Sequence, residues 1–203
     1  WGGRLMLLSI GLEGARTAVS ADGDPALAPL LCFEWLPPPR IPNVHPVLGG
    51  ADDASEIVAT GSVITTDTAL VLGGAAGGEQ LTAVRFTLPI PPGAVVESAR
   101  IRFHAAAAEG DLAEWTIRVE ATDDATTFAT TPLDVSSRVL APGAIVWTPA
   151  SWIADQSGPA QRSPELRTLL QQIVDRPGWA ANHACAFVIS GIGQRTAHSH
   201  DAN

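Results

Sequence analysis

The sequence predicts a mainly β protein, an antiparallel β-sandwich with one amphipathic helix at about residues 164–176, and three observations predict it. Short apolar or alternating runs recur between residues 69 and 190. Turns containing Gly or Pro separate them at sandwich-like intervals. A single stretch carries the helical period instead of the period of two.

The strand candidates follow in order. "ALVL" (69–72), "QLTAVRFTL" (80–88), "VVESARIRFHA" (95–105) and "WTIRVEA" (115–121) come first, and "ACAFVIS" (184–190) comes late. In "SARIRFHA", Ala99, Ile101 and Phe103 fall on one face and Arg100, Arg102 and His104 on the other, the alternation of a half-buried strand. "PPG" (91–93) and Glu109-Gly110 are turns. The helix is "SPELRTLLQQIVDRPGW", where Leu166, Leu169, Leu170, Ile173 and Val174 recur on one face. Ser163 is its expected N-cap and Pro164 its first residue, and Pro177 with Gly178 stop it.

Composition bounds the function. With 203 residues and 46% hydrophobic content the chain has a full core, one domain plus attachments. The net charge of −9 comes with no Lys/Arg cluster to neutralise a phosphate backbone, so nucleic acid is excluded as the expected partner. No apolar run nears the roughly 20 residues that span a bilayer, since "LMLLSI" (5–10) is the longest. No membrane span is expected. The chain starts at Trp1, which is not an initiator, and it is therefore expected to be a segment of something longer.

The ends of the chain repeat each other. "RTAVSAD" (16–22) returns as "RTAHSHD" (195–201) at an offset of 179, which also pairs Ile10 with Ile189 and Gly14 with Gly193; 7 of 19 positions agree. So long a period indicates whole domains in tandem. Residues 1–36 are then the C-terminal strands of a preceding unit or a donor strand. Residues 37–49 are a Pro-rich connector, and residues 50–203 are a sandwich unit lacking its own last strand. After the first copy comes "ALAPLLCFEW", in which Ala28–Trp35 is an apolar run bounded by Pro and suited to a buried strand. Leu30, Leu31, Cys32, Phe33 and Trp35 are its candidate inter-unit contacts. Separate subunits and covalently continuous repeats fit this pattern equally.

A further group of residues carries a resemblance. The acidic "GADDASE" (50–56), "VRFTLPIPPGAVVESARIRF", the Trp pair in "WTPASW", and the closing helix with "PGW" and "RTAHSHD" resemble the DNRLRE-type β-sandwich domains of bacterial secreted proteins, relatives of carbohydrate-binding modules. The resemblance spans residues 50–203. It implies a jelly-roll-like sandwich, an extracellular or cell-surface setting, and a repeat or accessory role without catalysis.

Several residues are candidates for chemistry. Asp52, Asp53 and Glu56 form an acidic cluster, as do Asp123 and Asp124, and carboxylates of this kind ligate Ca²⁺. His198 and His200, two apart on an expected strand, project to one face and suit a transition metal. The first copy has Val19 and Ala21 there, so the unit folds without them. Trp147 and Trp152, on a polar loop, are the candidates for stacking on a glycan. Cys185 is expected either to join Cys32 of a following unit in a disulfide or to remain, like Cys32, a buried thiol. No nucleophile elbow, phosphate-cradling Gly loop or metal-spaced Cys pair is present, and "GLEGAR" and "GIGQR" are read as turns between strands.

The expected function is therefore a non-catalytic structural repeat of an extracellular fibre or adhesin stalk. Its partners are identical neighbouring units, joined by strand complementation or in covalent tandem. The alternative is a carbohydrate-binding module of a secreted or virion protein. Apart from the candidate Ca²⁺, no cofactor is expected.

Overall fold

The computed structural model describes residues 43–75 and 78–202. The chain divides into two units, residues 1–43 and 44–203, and the first, apart from Asn43, lies outside the described residues. The inter-unit candidates Leu30, Leu31, Cys32, Phe33 and Trp35 lie there too.

Residues 44–203 are mainly β, as the sequence predicts, with seven strands and one α-helix among the described residues. The strands are β1 (Asp53–Ile57), β2 (Ser62–Ile64), β3 (Ala69–Ala75), β4 (Gly78–Thr87), β5 (Glu114–Val119), β6 (Ile145–Trp147) and β7 (Ala184–His198). Every pairing is antiparallel. The first half of β7 lies between β4 and β5, so β2, β1, β4, β7, β5 and β6 run side by side. The second half, from Gly193 to His198, leaves that row to pair with β3.

Alternation along β7 explains how both faces of this sheet are used. Cys185, Phe187 and Ile189 enter one core, with Val84, Trp115, Ile117, Val119 and the buried face of the helix. Ala184, Ala186 and Val188 enter a second core with Ala54, Ala83, Phe128 and Val135. The chain covers the first face with residues 96–105 and the helix, and the second with residues 125–140. Arg138 closes the second core over the Phe128 ring at 4.3 Å while pairing with Glu120 and Asp134.

The helix, α1 (Arg167–Val174), is shorter than expected, although Leu166, Leu169, Leu170, Ile173 and Val174 are all buried as its period requires. Its N-cap is Leu166 and not Ser163. Ser163 is drawn elsewhere: its hydroxyl accepts the Ile101 N–H at 3.0 Å and donates to the Pro164 carbonyl. The first turn of the expected helix is given up so that this segment can brace residues 99–103.

Two other expectations are corrected. Residues 95–105 keep the predicted burial, with Ile101, Phe103 and Ala105 buried and Arg102 and His104 exposed, but they form no named strand. Most of their backbone bonds go to irregular segments, with Phe103 N–H to Gln161, Ala105 N–H to Gln156 and Ser163 N–H to Ile101, and they touch β7 at the isolated Ala105–Ala197 bridge, where the His104 carbonyl accepts the His198 N–H. "GIGQR" is not a turn but the middle of β7. Gly191 (φ 146°) and Gly193 (φ 73°) let the strand bend without breaking. At Gly193 a Cβ would also strike the carbonyl of Leu112.

Candidate functional site

The repeated phrase is best read from its geometry. Arg195 projects to the core side of β7, in register with Leu72, and is 1% exposed. Its guanidinium donates to three carbonyls: Gln194 at 2.6 Å, Asp111 at 2.8 Å and Ala150 at 3.3 Å. A rigid fork with five donors is the side chain able to hold several carbonyls at once. Thr196 donates its N–H to Glu109, and Ala197 is fully buried against β3. Ser199 donates its hydroxyl to the Asp67 carbonyl, and the N–H of His200 goes to the Asp53 carboxylate at 2.8 Å. The Asp201 carboxylate packs so closely on Gly50 that a Cβ there would collide with it. This segment is thus a latch that ties the end of the unit to its beginning.

The matched positions of the repeat, Ile189, Gly193, Arg195, Thr196, Ala197, Ser199 and Asp201, all belong to this architecture. The unmatched His200 takes part through its backbone N–H, which any residue supplies, whereas the matched Arg195, Thr196 and Ser199 also use their side chains. What recurs is what closes the unit.

The acidic residues of the candidate Ca²⁺ site are each directed to a different protein partner. Asp52 pairs with Arg85 at 2.6 Å, Asp53 takes the His200 N–H, and Glu56 accepts the N–H groups of Val135 and Ser136 at 2.9 Å each. The period of β1 explains the separation, because Asp53 and Glu56 stand on opposite faces. Of the second acidic pair, Asp123 binds Arg176 and Asp124 accepts the Ala184 N–H. Among the described residues no three or more His, Cys, Asp or Glu side chains are grouped to hold a metal. Burial pushes the Asp53 carboxyl up to about 6; the His200 N–H opposes this, and the charges of Asp201 and Asp52 add to it.

His198 and His200 do not form the shared face that a longer strand would give, because β7 ends at His198. His198 packs edge-on against His104 (5.1 Å between rings), with Asp155 at 3.9 Å, whereas the His200 ring lies 3.5 Å from Asp201.

Trp147 and Trp152 are not on an exposed loop. They are 5% and 2% exposed and cluster with Trp115 and Phe103, with ring centres 5.1–6.4 Å apart. The Trp152 indole N–H is satisfied by the Ala160 carbonyl. Neither ring offers an open face to a sugar. Cys185 is also buried, and burial pushes its thiol well above the ordinary range. Phe86 of β4 lies beside it, and the carbonyls of Ala184 and Ala186 on the other side accept from Ala125 and Glu120. Among the described residues Cys185 is a buried free thiol, and Cys32, its partner in the other expectation, lies outside them.

One feature escaped the sequence reading. β5 and β6 pair up to Trp115 opposite Trp147, and the same two chain segments meet again at the Glu109–Trp152 bridge. Between those points the ladder opens, and residues 110–114 and 148–151, with Ile192 and Arg195, line a groove of about 500 Å³. Arg195 braces it by holding Asp111 on one arm and Ala150 on the other. Leu112 and Ile192 at its lip are 96% and 73% exposed. The signal in the sequence was Leu112 standing alone between Asp111 and Glu114, and it is weak.

No protein-family model matches the sequence, and no curated protein matches it.

Proposed function

We propose that the chain is a structural repeat unit of an extracellular fibre or adhesin stalk, linked to like units through residues 28–35 or in covalent tandem. One observation carries the reading. The residues shared by the two copies are those that latch a unit shut, so residues 10–22 have the make-up of the closing segment of another unit. The DNRLRE-type resemblance supports the secreted setting and the jelly-roll-like description.

Both forms of linkage have the same consequence for the isolated chain: it carries the tail of one unit and the body of the next. Such a chain associates head to tail, because each molecule offers a donor and an acceptor that are not the same surface. The carbohydrate-binding alternative named Trp147 and Trp152, and their burial takes away its residues. Electron microscopy of the purified chain tests the proposal: strings of repeating particles are expected, and isolated single particles at all concentrations would refute it.

A further inference from the structure

Most arginines of this acidic chain have a fixed occupation. Arg85, Arg100, Arg138 and Arg176 each pair with a carboxylate, and Arg195 is taken up by carbonyls. Arg102 and Arg162 differ: both are exposed, and among the described residues neither guanidinium has a carboxylate partner. Instead they stand directly opposite each other at an isolated antiparallel bridge. The bonds that flank it, Phe103 N–H to Gln161 at 3.0 Å and Ser163 N–H to Ile101 at 2.8 Å, make it the non-hydrogen-bonded kind of pair. In such a pair the Cα atoms lie about 4.5 Å apart and the side chains are closest. Like charges so placed destabilise the pairing. The chain has 21 acidic residues for 12 basic ones, and still it sets two guanidinium groups face to face.

We infer that Arg102 and Arg162 form a fork for a dianionic oxyanion, a phosphate or sulfate group. Two guanidinium groups carry two charges, which one dianion balances and a single carboxylate does not. Each planar group can also give two parallel N–H bonds to a pair of the ligand's oxygens. The same pair repels a cation. His104 follows Arg102 on the same exposed face, since Ile101, Phe103 and Ala105 between and beside them are buried, and its imidazole adds a ring N–H donor at one end. The frame is fixed beneath the fork: Ile101, Phe103, Gln161 and Ser163 are all buried, and the Ser163 hydroxyl accepts the Ile101 N–H. The open face admits a free ion or the same group carried on a polymer.

The test uses the full chain and the phosphorus NMR linewidth of inorganic phosphate at constant ionic strength in chloride. Broadening of the line is expected, reversed by inorganic sulfate. Binding should weaken about tenfold or more in Arg102→Gln, Arg162→Gln and stay as native in Arg167→Gln, which removes another exposed arginine. No broadening, equal binding by the double variant, or an equal loss in Arg167→Gln would overturn the inference. Displacement by dextran sulfate at a lower sulfate-group concentration than by inorganic sulfate assigns the group to a polymer, and displacement at the same concentration assigns the free ion; either upholds the fork. A second measurement needs no ligand. In chloride at low ionic strength Arg162→Gln should match or exceed the native Tm, because it removes the repulsion. A fall of several degrees would show Arg162 to be a structural strut and would also overturn the inference.

Discussion

Arg195 donates from the last strand to the carbonyl of Asp111 at 2.8 Å, and in doing so it fixes the arm that leads into β5. A buried guanidinium serving three carbonyls leaves them all unsatisfied when it is removed. Arg195→Met is expected to cost about 3 kcal/mol or more by urea unfolding. Arg195→Lys should not restore the loss, because one ammonium cannot span both arms. A variant within about 0.5 kcal/mol of the native chain would show that the brace is dispensable.

The tryptophan cluster holds the same region from below. Trp152→Ala removes a ring in contact with Phe103, Trp115 and Trp147 and is expected to cost about 3–5 kcal/mol. The near-ultraviolet circular dichroism of the cluster should fall with it. An unchanged stability would mean that the ring is not a core element.

Little of this cluster was legible in the sequence, since Trp147 and Trp152 sit among Thr, Pro and Ser and read as loop residues. Their burial comes from Phe103 and Trp115, which are far away along the chain. β1 was hidden for a related reason: "DASEI" looks solvated, and its burial is made tolerable by the His200 N–H on Asp53 and the N–H groups of Val135 and Ser136 on Glu56. The alternation of residues 99–105 gave the right burial, but period alone cannot say whether the backbone partner is a strand or an irregular segment. Glycines at 191 and 193 read as a turn. In the fold they bend a continuous strand, which local sequence does not distinguish.

Asp53 makes stability depend on pH. Its folded-state pKa of about 6 lies above the ordinary 3.8, so protonation favours the folded state. That contribution is complete below about pH 3.8 and is lost as the pH rises through about 6. Asp53→Asn removes the ionisation while keeping an acceptor for the His200 N–H. At pH 8 the variant is expected to be more stable than the native chain, on the order of 2–3 kcal/mol, and the advantage should shrink as the pH falls towards 4. Urea unfolding at several pH values checks this. A variant less stable than the native chain at pH 8 would contradict it.

Cys185 should be inert while the chain is folded. Its thiol is buried and resists ionisation, and only the thiolate reacts. In a Cys32→Ser background, a thiol reagent at pH 8 is expected to label the chain only after denaturant is added. Rapid labelling of the folded protein would show that this strand opens.

The most direct test of the account is sedimentation velocity of the full chain over a wide concentration range, beside Phe33→Ser, Trp35→Ser. A concentration-dependent series of oligomers is expected for the native chain and a monomer with an unchanged Tm for the variant. A native chain that sediments as the same monomer as the variant at every concentration would contradict it.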